Sequence, residues 1–544
     1  MKVLIIGGVA AGTKTAAKIK REDPQAQVTL ITKSSDVSYA GCGLPYYIGD
    51  VIHDKAALIV NTPESFGALT GVEVVTQMEA TAIDRSAKTV KAHSLKDGSD
   101  VVYTYDKLVI ATGARPVKPP VEGVDLEGVH VMRTPDDAIA VRAAVDEGHV
   151  KRAVVCGAGF IGLEVAENLA ARGVMVSVID MAPQILPGFD PEMSSYVESW
   201  LADQDIMAFT NTRLEGIVGE GHVAKVKTNR RSMKADLVVL ALGIRANTEF
   251  LDGSGIEMWP NRTIRVNEYL QTNDADIYAL GDCASVTNRI TESTAWSPMG
   301  SSANIEGRIA AENICGKQKP YPGVLGTGVA KLPELNVGRT GLSEADAKAQ
   351  GFDPITVLCV ADDKPGYYPG FGHFIIKLIA DRKTERFLGL QVLGKGNVDK
   401  VVDIAVMALS MKATVSDLEN LDFAYAPPFS TAIHPLSTAV NVLKNKMTGA
   451  MVSMTPARYL DGGADGYMVV DLGKTPAIEG AVYVDMNDVK PGFDGLPKDR
   501  PLLLVCTRGR RAYMTQVKLR ALGYTDTWVL EGGLTFNTVE LEPQ

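Results

Sequence analysis

The sequence predicts an α/β protein of several domains, on three observations. Two strand–turn–helix units each open on a glycine-rich turn, one at Gly7 and one at Gly157. A third, compact α/β unit follows near the far end of the chain, after residue 466. The length of 544 residues suits three or four domains at roughly 150 residues each.

The elements follow in chain order. Residues 3–6 form a buried-type strand, 11–21 a helix and 28–31 the next strand. The turn between strand and helix is Gly7-Gly8-Val9-Ala10-Ala11-Gly12, with Val9 at the middle glycine position of the usual G-x-G-x-x-G. A parallel β-α-β unit with glycines at this turn lets the backbone approach a pyrophosphate, which then sits on the helix N-terminus. The second copy has the full pattern. Strand 153–156 leads into Gly157-Ala158-Gly159-Phe160-Ile161-Gly162-Leu163-Glu164 and a helix through residue 171. The next strand, 174–179, ends in Asp180. An acidic residue about 20 positions after the glycines suits the ribose hydroxyls of NAD and repels a 2′-phosphate.

Stretches 108–114 and 237–243 read as strands ending in glycine, and 275–282 as a strand delivering Asp282. Residues 326–443 alternate β-type and helical stretches without a nucleotide fingerprint. The Gly- and Pro-containing stretch 448–466 reads as a linker. Beyond it come strands at 468–471, 502–505 and 527–530, a helix from Arg511, and Gly532-Gly533.

Composition narrows the function. The net charge is −10 with no long basic block, which argues against nucleic-acid binding, because phosphate contacts need clustered Lys and Arg. No apolar run reaches the ~20 residues of a spanning helix, and no signal-peptide layout opens the chain, so the expected location is the cytoplasm. The six cysteines (Cys42, Cys156, Cys283, Cys315, Cys359 and Cys506) are scattered, without C-x-x-C or metal-type spacing. That pattern fits a reducing compartment and no metal site. Cys506 opens the loop Cys506-Thr507-Arg508-Gly509-Arg510-Arg511, which runs from a strand into a helix. Successive N–H groups in such a loop form an anion nest. The loop suits a persulfide anion; the Cys-x4-Arg spacing also leaves a phosphatase-type oxyanion site open.

Further motifs are Ser38-Tyr39-Ala40-Gly41-Cys42-Gly43-Leu44-Pro45-Tyr46, Ala111-Thr112-Gly113-Ala114, Tyr278-Ala279-Leu280-Gly281-Asp282, Gly366-Tyr367-Tyr368-Pro369 and Tyr425-Ala426-Pro427-Pro428. With these, nearly the whole chain resembles the FAD-dependent pyridine nucleotide–disulfide oxidoreductases. It is most similar to the coenzyme A-disulfide reductases with a C-terminal rhodanese domain, a group that includes NADH-dependent persulfide reductases. The resemblance implies two Rossmann-like domains, a discontinuous one for FAD (1–115 and 247–325) and one for NADH (116–246). It also implies an α+β dimerisation domain (326–447), the linker (448–466) and a rhodanese-like α/β domain (467–544) in a homodimer.

It further implies residue roles. Gly7, Gly8, Ala11, Gly12, Thr32, Lys33, Thr112, Gly113 and Asp282 would hold FAD. Gly157, Gly159, Ile161, Gly162, Glu164, Asp180 and Gly243 would line the NADH site. Cys42 would be the redox cysteine, with Tyr367 (or Tyr368) and Tyr425 reaching it from the partner subunit. Lys18, Arg21, Ser38, Asn304, Arg308 and Lys400 match substrate positions used for a coenzyme A-like ligand. Cys506 with Arg508, Gly509, Arg510 and Arg511 would form the sulfur-carrying loop. The chain departs from its relatives at Thr32 (usually acidic), Gly41 (often Asn), Ala68, Leu69 and Ile305 (basic in relatives), and Gly473 (in place of the Arg of Asp-Val-Arg).

With one thiol beside the flavin, the second sulfur must come from the substrate. Cys42 would attack a persulfide or disulfide, and NADH would supply electrons through the flavin. Its thiolate is expected to have a low pKa, set by a following helix start and the isoalloxazine ring. The flexible linker would raise the concentration of Cys506 persulfide near Cys42 to about millimolar. The expected function is thus NADH-dependent reduction of low-molecular-weight persulfides or polysulfides. The alternatives are a coenzyme A-disulfide reductase, an NADH oxidase, and a sulfur carrier or redox sensor without turnover.

Overall fold

Val3, Leu4, Ile5 and Ile6 are each at most 4% exposed, as fits a strand of a parallel sheet covered on both faces. In the computed structural model, which describes residues 1–541, they form the central strand Lys2–Ile6. The sheet runs Ile277–Ala279, Lys107–Ile110, Lys2–Ile6, Gln27–Ile31, Glu73–Val75, all parallel. Helix Ala10–Glu22 leaves the first glycine turn. A second all-parallel sheet repeats the plan in the order Ile206–Phe209, Met175–Ile179, Arg152–Cys156, Leu237–Leu240, Val129–Val131. Helix Phe160–Ala171 leaves its glycine turn. Both sheets lie in one compact unit, Met1–Ile185 with Leu201–Val324.

The other unit comprises Leu186–Trp200 and the chain from Leu325 onward. It contains an antiparallel sheet ordered Gly328–Leu332, Leu335–Gly341, Phe387–Gly394, His373–Asp381, Pro354–Asp362. Helices Val398–Ser410 and Pro435–Met447 accompany it. The unit also contains a parallel sheet ordered Ser453–Met454, Thr527–Leu530, Leu502–Val505, Met468–Asp471, Val482–Tyr483. Together these form the mixed α/β architecture expected from the sequence.

Two expected boundaries need correction. The stretch 448–466 is not a free linker: Ser453–Met454 is an edge strand of the C-terminal sheet, and Pro456–Leu460 is a helix capped by Thr455. Nor does that sheet hang on a tether. Glu531, 3% exposed, accepts hydrogen bonds from the Leu358 amide (2.8 Å), Lys446 Nζ (2.6 Å) and Ser453 Oγ (2.6 Å). One buried carboxylate thus joins the antiparallel sheet, helix Pro435–Met447 and the C-terminal sheet. The second correction concerns residues 186–200, expected within the NADH domain; they belong to the other unit. Their Asp190 and Glu192 carboxylates pair with Lys377 Nζ, Asp190 at 2.9 Å, and Glu344 joins at 3.1 Å. Tyr196 also stacks on Phe536 with ring centroids 5.2 Å apart.

Lys377 is 3% exposed, and its carboxylate neighbours hold its ammonium charged, well above the usual lysine range, against the cost of burial. Lys377→Met leaves buried carboxylates without their cation and is expected to destabilise this unit by about 3–5 kcal/mol. The measurement is the denaturation midpoint of the intact protein, with Lys377→Arg as the charge-keeping control; an unchanged midpoint in Lys377→Met contradicts the expectation. No helix among the described residues is long and apolar enough to cross a membrane.

Candidate active site

The two glycine turns are built alike. A Cβ on Gly12 would lie 1.9 Å from the Gly7 carbonyl oxygen, and one on Gly162 would lie 1.9 Å from that of Gly157. Only glycine lets each helix start so close to its strand, which leaves helix-start amides exposed for a phosphate. Both turns therefore fit a bound dinucleotide by shape. Asp180 ends its strand as expected, its carboxylate accepting the Ala158 amide at 2.7 Å and the Ala182 amide at 2.8 Å. That places an acceptor beside the second glycine turn. At the first turn the corresponding residue is Thr32, buried, with Lys33 exposed and paired to Glu79 at 3.7 Å. Thr112 Oγ1 donates to the Asn247 carbonyl at 2.7 Å, and Gly113 has a positive φ of 64°. Asp282 is paired with Arg133 Nη2 at 2.9 Å. Arg133 had no motif to mark it: it lies 149 residues from Asp282 in sequence.

Cys42 lies in the single-turn helix Gly41–Gly43, with helix Leu44–Ile48 directly after it. It is exposed and free of any disulfide. The protein groups around the Cys42 thiol act on it in opposite directions. Desolvation by its surroundings pushes the Cys42 thiol up, the Glu164 and Asp282 carboxylates push the same way, and Arg133 opposes them. Ser38, four residues earlier, holds a left-handed φ of 51° and donates its amide to the Gly8 carbonyl at 2.8 Å. This bond ties the cysteine loop to the first glycine turn.

Glu164, expected with the nicotinamide nucleotide, accepts a hydrogen bond from Tyr46 Oη at 3.0 Å. Burial raises its carboxyl to about 7. It is therefore largely neutral below pH 7 and charged above, and that charge opposes a thiolate at Cys42. In the holoenzyme, Glu164→Gln is expected to move the pH dependence of Cys42 alkylation toward lower pH, by about one unit at most. A midpoint that stays put or rises shows that Glu164 does not govern this thiol. The pairing of Tyr46 with Glu164 was hidden in sequence by a separation of 118 residues.

The expected substrate positions are less open than their residue types suggest. Lys18 pairs with Glu22 at 2.5 Å and lies 3.5 Å from Glu312. Asn304 spends its amide on the Gly300 carbonyl of its own helix at 2.8 Å. Arg21 and Arg308 are exposed. Leu69 and Ile305 are exposed, 77% and 44%, where a polyanionic ligand would want cations. Lys400, in the other unit, lies in a small cleft with His434 and Asn397. Burial, with Lys400 adding to it, lowers His434 to about 4, so this imidazole is neutral at physiological pH.

In that unit the structure joins Tyr367 and Tyr425. The neighbouring Tyr425 raises Tyr367, and both rings are exposed, 74% and 47%. In the C-terminal sheet Cys506 is 2% exposed, and the Gly509 amide donates to its Sγ at 3.2 Å. Gly509 takes a φ of 89° to start helix Arg510–Ala521. Asp471 stands where relatives open Asp-Val-Arg and works locally, accepting the amides of Gly473, Ala477 and Ile478 at 2.8, 2.6 and 3.1 Å. The three arginines part company. Arg511 donates Nε to the Leu472 carbonyl at 2.8 Å. Arg508 turns to Asp362 (2.7 Å) and His373 Nε2 (3.2 Å). Arg510 has no ion pair among the described residues and stays at the loop surface. His373 Nδ1 lies 2.8 Å from Asp362 Oδ1 at an angle that makes no hydrogen bond. Neither Asp362 nor His373 was foreseeable, being 146 and 135 residues from Arg508.

Two dinucleotide cradles, a lone cysteine between them and a cysteine-centred anion loop define a class, the flavin-linked pyridine nucleotide oxidoreductases of sulfur. The family comparisons agree. Residues 1–300 match the pyridine nucleotide-disulphide oxidoreductases, 330–436 their dimerisation domain and 454–535 the rhodanese-like domain. The chain belongs to the pyridine nucleotide-disulphide oxidoreductase family and carries a rhodanese-like domain. It is 36% identical to the NAD(P)H coenzyme A polysulfide/persulfide reductase of Pyrococcus horikoshii, over 81% of this chain and 98% of that one. It is equally identical, 36%, to a protein named NADH oxidase from Methanocaldococcus jannaschii, over 82% of this chain and 100% of that one. Among solved structures it resembles the NAD-dependent persulfide reductase of A. fulgidus, with a TM-score of 0.94, 36% identity and coverage of 99% and 100%. It also resembles the reduced Bacillus anthracis CoADR-RHD, with a TM-score of 0.93, 30% identity and coverage of 98% and 97%.

Proposed function

We propose that this enzyme reduces low-molecular-weight persulfides and polysulfides with NADH, using Cys42 as its single redox thiol, while the Cys506 loop handles sulfane sulfur. The observation that carries this reading is the presence in one chain of a lone exposed Cys42 and a Cys506 whose Sγ is held by a loop amide. The likeness to the A. fulgidus persulfide reductase over 99% of this chain supports it. The likeness to a protein named NADH oxidase does not favour oxygen as substrate, because oxygen reduction has no use for a second, sulfur-binding loop.

When bound, FAD and NADH supply a pair of electrons to the sulfur at Cys42. The first glycine turn, Thr112 and Asp282 would hold FAD; the second turn and Asp180 would hold NADH. The chain's own part is sulfur exchange. The Cys42 thiolate attacks the outer sulfur of R–S–S⁻; the S–S bond breaks, R–S⁻ leaves, and Cys42 holds the persulfide. Two electrons and one proton then split Cys42–S–S⁻ into the Cys42 thiolate and HS⁻. Glu164, near neutrality, and Tyr46 form a hydrogen-bonded pair able to hold or move a proton beside this sulfur. Tyr367 and Tyr425 would reach Cys42 of the partner subunit in a homodimer, donating to the leaving thiolate; a monomer by sedimentation would remove that role. Lys18 held by Glu22, with Leu69 and Ile305 exposed, favours a small persulfide over coenzyme A.

The test is steady-state NADH consumption with glutathione persulfide, polysulfide, coenzyme A disulfide and oxygen. Persulfide or polysulfide should have the highest kcat/KM; a higher value for coenzyme A disulfide or oxygen overturns the reading. Asp180→Ala is expected to lose most of the preference for NADH over NADPH, since it removes the acceptor for the ribose hydroxyls and the repulsion of a 2′-phosphate. A wild-type enzyme already faster with NADPH contradicts this assignment.

A further inference from the structure

A cavity of about 610 Å³ lies within the second unit, between strand Pro354–Asp362, helix Pro435–Met447 and the Cys506 loop. Its volume is within the usual range for small-molecule sites. Leu358, Val360, Val442, Met451 and Val529 give it apolar walls. Four charged residues line it: Asp362, Glu531, Arg508 and Arg510. Three of them are neutralised. Arg508 pairs with Asp362 at 2.7 Å, and Glu531 with Lys446 at 2.6 Å. Arg510 alone lacks an ion pair among the described residues. Arg508, Gly509 and Arg510 are part of the wall, and the Gly509 amide is the one that holds Cys506 Sγ at 3.2 Å. The cavity and the sulfur-bearing cysteine thus share one loop.

We propose that this cavity seats the body of the thiol that collects sulfur from Cys506, a thiol with an apolar chain ending in a carboxylate. The apolar walls bury the chain, and Arg510 meets the carboxylate. The proposal rests on the reading that Cys506 carries sulfane sulfur. The step balances without an oxidant or reductant. The acceptor R–S⁻ attacks the outer sulfur of Cys506–S–S⁻; that S–S bond breaks, a new one forms, and R–S–S⁻ and the Cys506 thiolate result. Glutathione, polar along its length, matches these walls poorly.

The experiment uses the intact holoenzyme without NADH and thiosulfate as donor. Acceptors are cyanide, glutathione and the series mercaptopropionate, mercaptohexanoate and mercaptooctanoate. The KM should fall at least roughly tenfold along the series, because each added methylene gains burial. Val442→Asp should raise the KM for mercaptooctanoate at least roughly tenfold and leave transfer to cyanide unchanged. Thr438→Trp, which fills the cavity without adding charge, should do the same and stands in if Val442→Asp fails to fold. Arg510→Gln should raise the KM for mercaptooctanoate several-fold more than that for mercaptooctanol. A KM independent of chain length, or one that Val442→Asp and Thr438→Trp leave unchanged, overturns the proposal while the sulfur-carrying role stands. Absence of transfer even to cyanide overturns both.

Discussion

Cys42→Ser is expected to abolish hydrosulfide release from persulfides, with a loss of at least about a thousandfold in kcat/KM, as for removal of a sole nucleophile. The flavin should remain bound and reducible by NADH, because the nucleotide-holding glycine turns are unchanged. A serine hydroxyl is too weak an acid to attack sulfur, and no second thiol is positioned to substitute. Cys156 and Cys283 are both 0% exposed, and burial pushes their thiols up to about 12 and about 11. Single-turnover spectroscopy separates the half-reactions: flavin reduction by NADH should proceed as in the wild type, and reoxidation by persulfide should stop. Wild-type turnover in Cys42→Ser would place the chemistry elsewhere.

Cys506→Ser has the second large effect. Thiosulfate-to-thiol sulfur transfer should disappear, while NADH turnover with small persulfides stays within about twofold of wild type, as independent sites behave. Bulky protein persulfides should be reduced more slowly. The structure changes the reason for expecting this. The C-terminal sheet does not swing on a tether: Glu531 fastens it to strand Pro354–Asp362 and helix Pro435–Met447, and Arg508 is pinned by Asp362. Transfer to a thiol seated beside the loop therefore takes the place of a roaming arm. NADH turnover of Cys506→Ser with a small and a bulky persulfide decides the matter. Equal rates to wild type on both would show that the loop does not feed the reductase.

The strands, the glycine turns and the loops of Cys42 and Cys506 were legible because each is encoded locally. An apolar run such as residues 3–6 marks a strand buried on both faces, and Gly12 and Gly162 are set by a contact within their own turns. Asp180 was legible for the same reason, at a fixed distance along one β-α-β unit. The sequence by itself therefore determined the fold class, the paired glycine turns and the strand-to-helix loop that Cys506 opens. Tertiary structure alone decided their electrostatics and neighbours. Glu164 lies beside Tyr46 across 118 residues, and Arg508 leaves its own loop for Asp362 across 146. The stretch 448–466 looked like a linker by composition, yet Ser453–Met454 completes a sheet whose other strands come later in the chain. Burial and ion pairing depend on which distant segments meet. A pattern of residue types carries the chemistry each group is capable of, and the packing around it sets the charge state in which that chemistry is done.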